Sequence, residues 1–111
     1  QQEQIYYNAQ GKLLESSIGN LVLQLDGHLY TPPVELGLLN GIYRQHLLAT
    51  GQATEKILRL DDLQSAEKIY ACNALRGLYE LEIDDWGWDK SPSLSIVFGL
   101  SSKTQWLSGL Y

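Results

Sequence analysis

The sequence has 111 residues, 19% of them charged, and a formal net charge of −5. That length holds one small domain with a single core, and the acidic balance argues against the basic surface that non-specific nucleic-acid binding requires. No apolar run is long enough for a membrane-spanning helix, the opening Gln1-Gln2-Glu3-Gln4 has neither part of a signal peptide, and the lone Cys72 excludes an internal disulfide or a multi-cysteine zinc site, so a cytoplasmic protein is expected.

In chain order, Ile5-Tyr6-Tyr7 is a short β-prone run that ends in the turn Asn8-Ala9-Gln10-Gly11, and 12–17 returns as a second strand. Leu21, Leu23 and Leu25 alternate with Val22 and Gln24, which predicts a strand over 20–25. Asp26-Gly27 is the strongest hairpin signal in the chain. His28-Leu29-Tyr30 returns from it and Thr31-Pro32-Pro33 stops it, because proline cannot donate to a ladder. Residues 5–31 therefore read as a β meander.

The period then changes. Leu39, Ile42, Tyr43, His46 and Leu47 recur at helical spacing, with Asn40 as the expected N-cap and Gly51 just past the end. A strand is expected over 55–60 and a short helix over 62–66, with Asp61 and Asp62 complementing its N-terminus. Two more strands follow at 69–72 and 78–83. Residues 85–92 read as a turn-rich stretch, and 94–98 as a last strand. Strands with interspersed helices make a mixed α/β domain.

Several chemical constellations are absent. His28 and His46 lack partners at ligand spacing and read as solvated imidazoles. Ser16-Ser17 has no nucleophile-elbow context, Cys72 on its strand reads as packing, and Asp84, Asp85 and Asp89 read as a polar turn, so no metal site is expected. A helix opening at Gly41-Ile42-Tyr43-Arg44 is more suggestive. Its first amides point outward, the dipole favours an anion, and glycine permits close approach of a phosphate.

That opening belongs to a longer pattern. Glu15 is followed five residues later by Asn20, then by the alternating strand, Thr31-Pro32-Pro33 and Gly41-Ile42-Tyr43-Arg44. The order resembles the signature of the class IV (fold type IV) pyridoxal-phosphate enzymes, which include branched-chain and D-amino-acid aminotransferases and aminodeoxychorismate lyase. The resemblance runs from residue 4 to about residue 83. It implies the large, C-terminal domain over 1–85, a β-meander or pseudo-barrel with short helices, followed by an 86–111 tail that does not match the family's closing segment. The implied cofactor is pyridoxal 5′-phosphate. Glu15 would face its ring nitrogen, where a carboxylate favours the protonated form. The amides of Ile42, Tyr43 and Ala74 would hold its phosphate, Leu39 would pack on its ring, and Leu75 and Arg76 would face the substrate carboxylate. Arg44 is expected to be structural.

Departures qualify the likeness. Val22 replaces a usual aromatic residue, and Tyr43 stands where many transaminases have Thr. Cys72-Asn73-Ala74-Leu75 is closer to the lyases than the Gly-Thr pair of the transaminases. The resemblance thus implies a lyase that cleaves 4-amino-4-deoxychorismate to 4-aminobenzoate and pyruvate, with a transaminase of the same family as the alternative. The family's Schiff-base lysine lies roughly thirty residues before the position of Glu15, ahead of Gln1. Lys12 reads as a solvated loop residue. Together with the complete absence of methionine, this reads as a piece of a longer protein, inactive by itself and lacking the small N-terminal domain. A small amino substrate and a homodimer are the expected partners. Two other readings stand beside this one: an aromatic-rich binding module using Trp86, Trp88 and Trp106, and a degenerate relative that folds without activity.

Overall fold

The computed structural model describes the backbone of residues 2–87, 95–100 and 105–106, and the side chains of residues 3–82, 95 and 96. The expected meander is present as β1 (Gln2–Tyr7), β2 (Leu13–Ser16), β3 (Gly19–Leu25) and β4 (His28–Thr31). Asp26 and Gly27, both at positive φ, make the tight turn between β3 and β4. A 3-10 turn at Val34–Leu36 leads to α1 (Ile42–Ala49). There follow β5 (Thr54–Glu55), α2 (Leu60–Ser65), β6 (Lys68–Asn73), β7 (Gly77–Glu80), β8 (Ile83–Gly87), β9 (Ser95–Leu100) and β10 (Gln105–Trp106).

The strands form one ten-stranded sheet whose main path is β10-β7-β6-β3-β2-β1-β9-β8, antiparallel throughout. One edge of β3 pairs with β2 near its start and with β4 near its end, and β5 runs parallel to β4. The centre of β3 is buried on both faces. Leu21 and Leu23 join Leu13, Leu58, Ala71 and Tyr79, and Leu63 of α2, in one cluster. Val22, pointing the other way as strand alternation requires, joins Tyr70, Cys72 and Leu78, and Tyr43 and Leu47 of α1, in a second. The sheet is thus the middle layer, with a short helix on each side. Among the described residues no helix is long and apolar enough to cross a membrane.

Several expectations are corrected. The strand expected over 55–60 is a two-residue pairing at Thr54–Glu55. The chain then drops Leu58 into the core, where its carbonyl accepts the Leu13 amide at 2.7 Å. The second helix starts at Leu60 rather than 62, because Asp62 occupies the third helical position. Its Oδ2 reaches back to accept the Arg59 amide at 2.8 Å. Asn40 does not cap α1; the N-cap is Gly41, and Asn40 Oδ1 instead accepts from Arg44 Nη1 at 2.9 Å. At the other end, Gly51 donates to Leu48 and Gln52 to Leu47, a Schellman closure that agrees with the expected stop. The strand expected over 78–83 splits at Leu81-Glu82 into β7 and β8, and 85–87 lie in β8 rather than a turn. The last expected strand is present as β9. The rest of the turn-rich stretch, Trp88 to Pro92, and the side chains of Asp84, Asp85, Trp86, Asp89 and Trp106 lie outside the described residues.

Candidate functional site

The β2–β3 hairpin turns through Ser17-Ile18, with Ser16 Oγ donating to the Gly19 carbonyl at 2.8 Å. This turn places Glu15 and Asn20 directly opposite each other as register partners, which is the structural meaning of their spacing. Both then grip the same residue on another segment. Glu15 Oε1 accepts the Leu39 amide at 3.2 Å, and Asn20 Nδ2 donates to the Leu39 carbonyl at 2.7 Å. The main chain of Leu39 is therefore held on both its polar groups while its side chain is left 75% exposed.

Three residues later α1 begins. Its first intrahelical bond runs from the Gln45 amide to the Gly41 carbonyl, so the amides of the opening turn have no acceptor within the helix. Gly41 passes so close to the hairpin that an added Cβ would sit 2.5 Å from Asn20 Oδ1. The start of α1 is also tied down from behind. Arg44, 2% exposed, donates to the Pro32 carbonyl at 3.0 Å and to Asn40 Oδ1, and pairs with Glu55.

A third segment completes the wall. In the β6–β7 turn, Asn73 Nδ2 donates to the Ile18 carbonyl at 2.8 Å and Asn73 Oδ1 accepts the Arg76 amide at 2.7 Å. Tyr79 Oη donates to the same Ile18 carbonyl at 2.9 Å. Between these segments lies a cleft of about 530 Å³, within the ordinary range for a small-molecule site. Glu15, Ser17 and Asn20 line it from the hairpin, Leu39, Gly41 and Ile42 from the approach to α1, and Asn73 and Ala74 from the β6–β7 turn, with Tyr6 from β1. Ile42, like Leu39, presents an exposed apolar side chain (69%) at this cleft.

Of the residues singled out in the sequence, Glu15, Leu39, Ile42 and Ala74 meet in this one cleft. The Tyr43 side chain instead lies in the core against Val22 and Leu47, its ring tilted on His46, so only its main chain is available at the helix opening. Leu75 is 86% exposed and Arg76 is exposed; both stand on the turn beyond Ala74 without lining the cleft. Arg44 is structural, as expected. His28 is exposed, but His46 is half-buried against Tyr43 rather than solvated. Cys72 is fully buried, and burial pushes its thiol up to about 12, partly opposed by the Arg44 charge. Burial likewise raises the Tyr79 phenol, with Arg76 opposing it. Among the described residues, no three metal-ligating side chains converge.

Sequence reasoning used Asn20 only as a spacing mark and Asn73 only as part of a run that separates lyases from transaminases. A signal was present for both: each is an amide side chain flanking the apolar centre of its strand, where a polar group drawn out of water needs a partner. A carboxylate at one side, helix-start amides at the other, and a glycine without room for a Cβ fit a flat, anionic ligand carrying a phosphate.

Comparison with known proteins agrees. The profile described as amino-transferase class IV matches residues 1–81. A Schizosaccharomyces pombe protein named "Putative aminodeoxychorismate lyase" is 33% identical over 78 residues, 68% of this chain and 34% of that protein. Among solved structures, a "Putative amino-acid aminotransferase" from Mesorhizobium loti shares 41% identity at a TM-score of 0.63, over 67% of this chain and 36% of its own. The branched-chain aminotransferase of Thermoproteus uzoniensis, solved with norvaline, shares 32% identity at a TM-score of 0.64, over 74% and 30%. The chain spans about a third of the length of these relatives. It belongs to the amino-transferase class IV family of pyridoxal-phosphate-dependent enzymes, with their fold type IV architecture.

Proposed function

We propose that this chain forms the ring-nitrogen and phosphate side of a pyridoxal 5′-phosphate site in a lyase resembling aminodeoxychorismate lyase. The observation that carries the reading is the double grip on Leu39. It couples Glu15 to the opening of α1 across a single cleft. When bound, the cofactor supplies an electron sink for charge left on the substrate α-carbon. Glu15 holds a proton at the ring nitrogen, which keeps that sink effective. The main-chain amides of Ile42, Tyr43 and Ala74 hold the phosphate, and the exposed Leu39 side chain covers the ring and excludes water from it. Leu75 and Arg76, beyond Ala74, face the carboxylate of a small amino substrate.

Cys72-Asn73-Ala74-Leu75 and the S. pombe relative favour the lyase; the M. loti and T. uzoniensis structures support an aminotransferase as the second reading. On either reading the family's lysine is expected about thirty residues before Glu15, and the chain alone is expected to turn over no substrate. A homodimer fits the family. Titration with pyridoxamine 5′-phosphate, which forms no covalent bond to lysine, tests the site. Saturable binding is expected, weakened by Glu15→Gln and with the pH dependence of binding changed. Absence of binding, or a Glu15→Gln variant indistinguishable from wild type, overturns the assignment. Turnover of 4-amino-4-deoxychorismate by the isolated chain would refute the predicted inactivity.

A further inference from the structure

We infer that Asn20 is a positioning residue for this site. Resting on the cofactor reading above, the inference is that Asn20 sets the spacing between the carboxylate end of the cleft and the phosphate end. Its side chain is buried at the start of β3, and both of its polar ends are used on the approach to α1. Nδ2 donates to the Leu39 carbonyl at 2.7 Å, fixing where that segment enters. Oδ1 stands against the Cα of Gly41, where a Cβ would meet it at 2.5 Å. Asn20 is also the cross-strand partner of Glu15. One side chain therefore refers the helix opening directly to the strand pair that carries the carboxylate.

The geometry makes Asn20 and Gly41 a matched pair. A Cβ at residue 41 requires the Asn20 amide or the Gly41 backbone to move, and either shift disturbs the Asn20–Leu39 bond beside it. A buried donor on a strand is rigid in a way a loop side chain is not, since β3 is paired on both edges here, with β2 and with β6. The distance between Glu15 and the amides of α1 is then inherited from the sheet, and a ligand that needs both ends at once binds a preformed site.

The test compares pyridoxamine 5′-phosphate with pyridoxamine by calorimetric titration of the full chain, in wild type, Asn20→Ala, Gly41→Ala and the double variant. The ratio of the two affinities reads the phosphate end relative to the ring end, and general destabilisation does not move it. Wild type is expected to prefer the phosphorylated ligand. Asn20→Ala and Gly41→Ala should each shrink that preference roughly tenfold, the order of one net hydrogen bond. The two losses should not add, because each substitution disrupts the same contact. A cooperative thermal transition identifies variants that remain folded, and Gly41→Ala probes the same contact from the opposite side if Asn20→Ala does not fold. A preference that survives both substitutions, or losses that add in the double variant, overturns the inference alone. A wild-type chain that binds neither ligand overturns the cofactor reading and this inference with it.

Discussion

Replacing Arg44 by Met removes a buried cation while keeping most of the volume of its aliphatic stem. Arg44 is 2% exposed and serves three acceptors: the Pro32 carbonyl, Asn40 Oδ1 and the Glu55 carboxylate. In Arg44→Met the Pro32 carbonyl stays buried without a donor, at about 1–3 kcal/mol. Asn40, at the edge of the site, loses a weaker bond of about 1 kcal/mol. Glu55 is 39% exposed, so its carboxylate turns to water and adds little. A loss of about 3 kcal/mol is expected, which for a domain of this size lowers the melting temperature by roughly 10–20 °C. Glu55→Gln is the informative contrast. It keeps an acceptor for Arg44 and removes only a half-exposed charge, so about 1 kcal/mol is expected, shrinking at high salt. Denaturant unfolding monitored by circular dichroism measures both. Equal losses in the two variants, or a neutral Arg44→Met, would show that the helix start is not held by the buried guanidinium.

Three other outcomes follow from the same structure. Cys72 carries a thiol raised from 9.0 to about 12 by burial. The folded chain therefore keeps a proton that the unfolded chain releases. The resulting stability is whole below pH 9 and is lost as the pH climbs toward 12. The buried phenols of Tyr70 and Tyr79, raised above 10.0, act in the same direction. Unfolding free energies from pH 8 to pH 11 should fall, and a thiol reagent at pH 8 should label Cys72 only in denaturant; prompt labelling of the native chain would contradict the burial. Asp62→Ala should destabilise by about 0.5–1 kcal/mol through loss of the Arg59 amide's acceptor, whereas Asp61→Ala should be close to neutral, as read by thermal melts.

What the sequence made legible was local. Leu21, Leu23 and Leu25 alternating with Val22 and Gln24 announce a strand, Asp26-Gly27 a tight turn, and Gly51 a helix end, because each depends on a few consecutive residues. The Glu15–Asn20 spacing was legible only as a family mark; that it makes them partners across a turn requires the pairing itself. The failures occur where a distant residue decides. Asn40 looks like a cap until Arg44, one turn along, takes its oxygen. Residues 56–58 look like a strand until Leu58 is drawn into the core beside Leu13. The pairing of β1 with β9 joins residues some ninety positions apart, and no local pattern encodes it.

The same division explains how this site separates binding from selectivity. Most side-chain bonds that shape the cleft end on main chain: Asn20 and Glu15 on Leu39, Asn73 and Tyr79 on Ile18, and Arg44 on Pro32. Such bonds fix where segments lie without dictating what they display. Leu39 is clamped by its amide and carbonyl, so its side chain is left to face the cleft at no structural penalty. Leu75 and Arg76 go further, since their side chains stand exposed while the turn beneath them is fixed by Asn73. Residues held this way can change identity with little effect on the fold, and on the proposed reading those are the positions that meet the ring and the substrate. The residues that cannot change, Asn20, Gly41, Asn73 and Arg44, are the ones whose contacts set distances. A cleft assembled so that its frame is main chain and its surface is dispensable side chain can keep one cofactor while its substrate varies.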